Sequence, residues 1–239
     1  FMNMPEDDYE ARMDDARVGY FLTQTNDMTT TETVNYRDMI HRWKLVKKDS
    51  SAAISEPITP ITWWIENTTP ETWRETIKEG VLAWNEAFEK AGFKNAMVVK
   101  IQPDDADWDA GDVRYNVLRW TSSPNPPFGG YGPSFVNPRT GEILGADIML
   151  EFVHFTNRVF GDKLYDDAAS NMKLETIQEL KIKKFKEQNN FMFCSAGHIL
   201  HENMQLGSTV LEATNASSLD MERMKKEGMK SLIMHEVGH

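Results

Sequence analysis

The last five residues of the chain combine residue types and a spacing that could do chemistry. They read His235-Glu236-Val237-Gly238-His239. On an α-helix, His235 and His239 lie one turn apart on the same face, so both imidazoles can reach one zinc ion. Glu236 lies about 100° around the helix, beside the line of the two ligands. The pattern predicts a zinc site in which Glu236 takes a proton from a water molecule that the metal activates.

Two observations keep a structural interpretation open. A helix can pack two histidines against methionines without any metal, and Met221 and Met224 share a stripe with His235 and His239. Catalytic zinc is normally held by three protein ligands and a water molecule, and a third ligand is not identifiable in the sequence. A similar pattern at residues 201–205 ends in glutamine, which is a poor zinc ligand, so we predict no metal there.

The composition excludes several classes of protein. The chain has 239 residues and a formal charge of −11, from 26 Lys and Arg against 37 Asp and Glu. This charge argues against a surface that binds nucleic acid or an anionic membrane. The single cysteine, Cys194, excludes an internal disulfide framework and a multi-cysteine zinc cluster. Since no run approaches 18 apolar residues, no membrane-spanning segment is predicted.

Two helices have clear sequence signals. Ser217 and Asp220 predict the start of the last helix, which carries the histidine motif to the end of the chain. A helix over residues 70–90 is predicted by one apolar face, by a threonine cap before Pro70, and by Gly92 as its end. That face consists of Trp73, Ile77, Val81, Trp84 and Phe88.

The remaining elements complete the predicted fold class. Strands are predicted at residues 18–22, 61–65, 97–101, 113–120 and 142–150, and further helices at 166–189 and 196–204. Residues 124–138, rich in Pro and Gly, are predicted to form a loop. The order of strand, helix, strands and helices predicts an α/β (α+β) fold, with a helix packed on a mixed sheet.

Six segments, which occur in this order along the chain, carry a resemblance. They are residues 15–21 (DARVGYF), 42–45 (RWKL), 79–93 (EGVLAWNEAFEKAGF), 112–120 (DVRYNVLRW), 137–143 (NPRTGEI) and 235–239 (HEVGH). In these segments the chain resembles bacterial zinc-dependent metalloproteases of the metzincin type. Asn137 stands where we expect Asp before the Pro-Arg-Thr-Gly turn, and the turn tolerates either residue.

The resemblance implies a particular arrangement of the fold. We expect a twisted mixed sheet of about four to five strands with an antiparallel edge strand, a backing helix and an active-site helix. Residues 1–56 would be an N-terminal segment, the tail of a preceding domain. Residues 57–239 would be the N-terminal part of a protease catalytic domain, with a helical insertion at 153–217.

The resemblance also implies a function. We expect a zinc-dependent endopeptidase with His235 and His239 as zinc ligands and Glu236 as the general base. The third ligand would belong to a continuation of the motif that this chain lacks, so we expect the chain alone to be inactive. The expected partners are a peptide or protein substrate and the remainder of the same polypeptide. By resemblance we expect an exported protein, although no signal peptide is recognisable at Phe1.

Substrate binding follows from the same resemblance. The peptide would add to the antiparallel edge strand of the sheet by main-chain pairing. We expect that edge at residues 141–150, with substrate along Leu144, Gly145, Ala146 and Asp147. Two alternatives stay open: a protease-like module of an exported surface protein that binds without cutting, and another class of zinc peptidase whose third ligand is a glutamate.

Overall fold

The computed structural model describes residues 3–122 (except 7 and 16), 130–151 and 196–239. A small N-terminal hairpin consists of β1 (Leu22–Asn26) and β2 (Tyr36–Ile40). The main sheet contains β3 (Ile61–Ile65), β4 (Met97–Ile101), β5 (Asn116–Thr121), β6 (Gly130–Tyr131), β7 (Ser134–Val136) and β8 (Ile143–Glu151). The described helices are α1 (Glu71–Leu82), α2 (Trp84–Lys90), α3 (Ala196–Ala213) and α4 (Ser218–Gly238).

The main sheet is mixed. Its strand order is β4-β3-β5-β8-β6, and β7 also pairs with β8. Strands β4, β3, β5 and β8 run parallel, whereas β6 and β7 run antiparallel to β8. The predicted α+β class with a mixed sheet is therefore confirmed. With the short strands β6 and β7 included, the sheet has one strand more than the four to five expected.

Helices α1 and α4 cover one face of this sheet. In β3, the alternate residues Ile61, Trp63 and Ile65 are buried, as expected for a strand that turns one face to the core. Gly80 lets the two helices approach closely, because a Cβ atom there would lie 2.8 Å from Cγ2 of Ile233. The core combines β3, β4, β5 and β8 with α1, α3 and α4, and it places the C-terminal half of α4 on the sheet.

The first helical region departs from the prediction at both its start and its middle. It forms two helices that break at Ala83, and α1 begins only after Pro70. The threonine cap is wrong, because no side chain caps α1 and the Oγ1 atom of Thr69 is buried without a hydrogen-bond partner. Gly92 ends this region as predicted, with a φ of 91° that favours glycine.

The other predicted elements fare unevenly. Strands at 61–65 and 97–101 are confirmed with the same bounds. The strand at 18–22 is wrong, since β1 begins only at Leu22 and residues 17–20 are exposed and not in a strand. Helix α3 continues nine residues beyond the predicted end at 204. The predicted helix at 166–189 and most of the expected insertion lie outside the described residues.

The N-terminal hairpin is joined to the main sheet next to Arg42. The N–H group of Arg42 donates to the Gly141 carbonyl at 3.1 Å, and the N–H group of Ile143 donates to the Arg42 carbonyl at 2.9 Å. Gly141 has a φ of 76°, and a Cβ atom there would collide with the Ile40 carbonyl oxygen. The hairpin and β8 are therefore held together by main-chain contacts.

Candidate functional site

Helix α4 carries the histidine motif, and its start and its buried face are both well defined. Ser217 and Asp220 form a capping box, in which each side chain accepts a hydrogen bond from the backbone of the other residue. This confirms the predicted start of the helix. On the core side, the buried residues near its C-terminal end are Met229, Leu232, Ile233 and Glu236. Glu236 therefore lies on the buried face of the helix, toward the sheet.

The two motif histidines lie side by side at the end of α4. The ring centroids of His235 and His239 are 4.7 Å apart, and the rings are nearly perpendicular at 86°. Both side chains are half-buried. Burial lowers the pKa of the His239 imidazole below its ordinary value, and the neighbouring His235 lowers it further. A lowered pKa favours the neutral imidazole, which is the form that binds metal ions.

The carboxyl group of Glu236 is enclosed by the edge of the sheet. Glu236 is only 5% exposed, and this burial raises its pKa to about 7. A Cβ atom on Gly130 would lie 2.7 Å from the Glu236 carboxyl group, and one on Gly132 would lie 3.1 Å from its carbonyl oxygen. The glycines of β6 and of the turn after it therefore leave the space that Glu236 occupies.

Trp84 fixes the last turn of α4 from the side of α2. Its indole N–H donates to the Met234 carbonyl oxygen at 2.8 Å. A Cβ atom on Gly238 would lie only 2.5 Å from Cζ2 of the indole, so the ring packs directly on this glycine. In the sequence, Trp84 is recognisable only as part of the apolar face of a helix, and no local pattern shows its contact with the motif.

Phe21 reaches the site from the N-terminal hairpin. Its ring meets the His239 ring edge to face, with centroids 4.9 Å apart and an angle of 71° between the planes. Phe21 ends the first resembling segment, but it was not predicted to be part of the site. Its only local signal is an aromatic side chain next to a strand.

The expected substrate edge is wrong. Strand β8 is not an edge strand, because it has a partner on each side. It pairs with β5 on one side, and on the other its Gly145 and Ala146 pair with Phe135 and Ser134 of β7. The N–H group of Asp147 donates to the Pro133 carbonyl at 3.0 Å, and burial raises the pKa of its carboxyl group above the ordinary value. Residue Leu144 lies half-buried in the same strand. The antiparallel edge expected at 141–150 is formed by β6 and β7.

A third zinc ligand is not found in the part of the chain that the structure describes. No group of three or more His, Cys, Asp or Glu side chains is placed there to hold a metal ion. The near match at residues 201–205 lies in α3, and the side chains of its His and Gln ends fall outside the description. His154 and Cys194 also lie outside the described residues. Among the described helices, none has the length and apolar character needed to cross a membrane.

Comparisons with known proteins bear on the N-terminal segment. A protein-family profile described as "Domain of unknown function (DUF5117)" matches residues 1–48. Neither the comparison with curated proteins nor the comparison with solved structures found a significant match. The matched segment contains the N-terminal hairpin, and with it the Phe21 ring that contacts His239.

Proposed function

We propose that this chain carries part of a zinc-dependent endopeptidase, in which His235 and His239 bind zinc and Glu236 is the general base. The observation that carries the proposal is the end of α4. Two half-buried imidazoles lie 4.7 Å apart, centroid to centroid, and the residue between them in the motif has a buried carboxyl group. The sequence resemblance to metzincin-type proteases supports the same assignment.

The two imidazoles are suitable ligands for zinc. Two neutral imidazoles one helical turn apart are a common pair of zinc ligands, and the lowered pKa of His239 favours its neutral form. The resemblance implies that a third histidine completes the set. A bound zinc ion would polarise the scissile carbonyl and would make a water molecule more acidic.

Glu236 lies where a general base beside the two imidazoles would act. In the metal-free protein, burial raises its pKa to about 7, and the charge of a bound zinc ion would favour the ionised form that accepts a proton. The backbone of Gly130 lies against the carboxyl group of Glu236, and that of Gly132 lies against its main-chain carbonyl oxygen. We infer that Glu236 takes a proton from the attacking water and later delivers it to the leaving amine.

The substrate backbone would lie along the antiparallel edge of the sheet. Within the described residues, β6 and β7 pair with β8 on one side only. A peptide in extended conformation could pair with the other side, as in other proteins that bind peptides by strand addition. This edge directly adjoins Glu236, so it would present the scissile bond to the general base. We therefore transfer the proposed substrate position from β8 to β6 and β7.

The decisive experiment measures peptide hydrolysis by the full-length gene product that contains this chain. We expect zinc-dependent cleavage of casein that a chelator abolishes. Glu236→Gln should lower kcat by about 100-fold or more, because it removes the base and keeps the shape of the side chain. Glu227→Gln, on the exposed part of the same helix, is the matched control and should retain activity.

Two outcomes would overturn the proposal. If Glu236→Gln cleaves casein as fast as the wild type, Glu236 is not the base. If neither protein cleaves any peptide and neither binds zinc, the non-catalytic binding module takes the place of the protease.

A further inference from the structure

We propose that Phe21 is a positioning residue for His239, and that the N-terminal hairpin thereby forms part of the metal site. This inference rests on the proposed function, because the orientation of His239 matters only if His239 binds the metal. It deepens that function by giving a role to a residue of the segment that matches a domain of unknown function.

The contact has the geometry of a favourable aromatic pair. The centroid distance of 4.9 Å and the angle of 71° describe an edge-to-face arrangement, which aromatic rings prefer over a face-to-face stack. His239 also meets the His235 ring, at 4.7 Å and 86°. The His239 imidazole is therefore in contact with two other rings, and only one of them belongs to its own helix.

The side chain of His239 needs a neighbour to fix its orientation. Its backbone N–H group donates to the Glu236 carbonyl at 3.3 Å, which orders the main chain but does not set the imidazole rotamer. An imidazole with no ring packed against it samples several rotamers. A ring packed against it reduces this freedom before the metal binds, so less ordering is required on binding.

Phe21 is itself held at a fixed place. Its carbonyl oxygen accepts a hydrogen bond of 2.8 Å from the N–H group of His41, which continues the ladder of β1 and β2. Arg42, which follows His41, forms main-chain hydrogen bonds with Gly141 and with Ile143 at the start of β8. Residues of β8 and α4 share one hydrophobic core. The aromatic contact therefore joins two elements that are each anchored to the same sheet.

The size of the effect follows from the kind of contact. Ordering one side chain on binding costs an amount of free energy that corresponds to about a two- to tenfold change in an equilibrium constant, and the packed ring of Phe21 would avoid this cost. We therefore expect Phe21→Leu to weaken Co²⁺ and Zn²⁺ binding by about two- to tenfold. Phe21→Tyr keeps the ring and should restore most of the affinity.

The experiment measures Co²⁺ absorption and Zn²⁺ calorimetric titrations on the full-length gene product that contains this chain, together with imidazole ¹H–¹³C spectra of the metal-free protein. Phe21→Leu should shift the ring resonances of His239, because the ring current of Phe21 is lost. Phe93→Leu is the matched control. Phe93 is half-buried and lies 6.0 Å from the Lys47 ammonium, also at a contact with the N-terminal segment, and its substitution should leave the metal affinity unchanged.

The outcomes separate this inference from the proposed function. If the wild type binds Co²⁺ more tightly than His235→Ala does, and Phe21→Leu binds it as tightly as the wild type, the positioning role is overturned and the zinc site stands. If the wild type binds no better than His235→Ala, the zinc site itself is overturned, and the positioning role with it. If Phe21→Leu does not fold, nuclear Overhauser contacts between the Phe21 and His239 rings in the wild type decide the matter, and their absence overturns the inference.

Discussion

The carboxyl group of Glu236 lies so close to the backbone of Gly130 that a Cβ atom on residue 130 would come within 2.7 Å of it. The atoms that would be struck are the end of a side chain, which can rotate. We therefore expect Gly130→Ala to displace the carboxyl group toward water without unfolding the protein. Because burial is what raises the pKa of Glu236, that pKa should fall from about 7 toward the ordinary value for a carboxyl group.

A ¹³C titration of the Glu236 carboxyl group measures this change directly. Gly19→Ala is the control, because a Cβ atom on Gly19 would have open space around it. A pKa that stays near 7 in Gly130→Ala would show that the glycine is not what leaves room for Glu236.

The raised pKa of Glu236 also predicts how stability depends on pH in the metal-free chain. The folded carboxyl group stays protonated up to pH about 7, whereas the unfolded one ionises near the ordinary value of 4.5. As pH rises above 4.5, ionisation lowers the free energy of the unfolded state before it lowers that of the folded state. The free energy of unfolding therefore decreases between these two pH values. The limiting loss is about 3 kcal/mol.

Glu236→Gln removes this titration and tests the sign. With chelator present, the variant should be more stable than the wild type by up to about 3 kcal/mol at pH 8.5, and the two should converge near pH 4. Urea unfolding at both pH values measures the difference. A gap that widens toward low pH would contradict the direction of the shift.

Two helix glycines should respond differently to alanine. A Cβ atom on Gly80 would strike Cγ2 and Cβ of Ile233, at 2.8 and 3.0 Å, and it would lie 3.2 Å from the Lys230 carbonyl oxygen. Branched side chains and backbone cannot move away, so Gly80→Ala should cost about 1–3 kcal/mol and lower Tm by about 3–10 °C.

Gly228→Ala is the matched comparison in α4. The atoms near its Cβ position belong to the flexible thioether of Met204, with Sδ at 2.5 Å. Methionine can adopt another rotamer, and alanine gains helix propensity, so we expect a cost below about 1 kcal/mol. Thermal unfolding compares the two, and a larger loss for Gly228→Ala would contradict the steric argument.

The contact between Trp84 and Gly238 predicts that the effect of Gly238→Ala on stability changes sign when the indole is removed. In the wild type, Gly238→Ala should destabilise the chain by about 1–3 kcal/mol, since the new methyl group would meet the indole ring at 2.5 Å. In a Trp84→Ala background that ring is absent. The same substitution should then be neutral or stabilise the chain by up to about 1 kcal/mol, through helix propensity alone.

A double-mutant cycle of the four proteins, measured by urea unfolding, gives the coupling energy between the two positions. Additive effects would show that the indole does not pack on Gly238 as the structure has it.

The sequence predicted the parts of the site that depend on local signals. The capping box at Ser217, the helical register of the motif and strands β3 and β4 all follow from patterns within a few residues of one another. The spacing of the motif also predicted that His235 and His239 lie side by side on α4, as they do in the structure. These features need no knowledge of what the rest of the chain does.

The edge of the sheet was misplaced for an equally physical reason. Strands β6 and β7 have only two and three residues, too few to show an alternating pattern, and they lie in a segment rich in Pro and Gly. The position of β8 within the sheet depends on which strands pair with it, and that is a property of the whole fold. The long apolar run of β8, buried on both faces, was in fact the signal of an interior strand.

The contacts of Phe21, Trp84 and Gly130 with the motif were missed because they join distant parts of the chain. No local pattern shows that an indole in α2 will donate to a carbonyl of α4. The glycine at 130 had a visible signal, as one of three glycines in a short stretch, but the sequence did not show which side chain required the space.

The pairing of α1 with α4 also has a consequence for synthesis on the ribosome. Trp84, two residues after the end of α1, is hydrogen-bonded to Met234 of α4, and the two residues are 150 positions apart in the chain. At a usual translation rate this separation takes roughly 8–30 s. Throughout that interval the apolar side of α1, with Ile77 and Val81, has emerged without the helix that covers it. In the nascent chain this apolar side therefore stays uncovered for many seconds, until α4 is made.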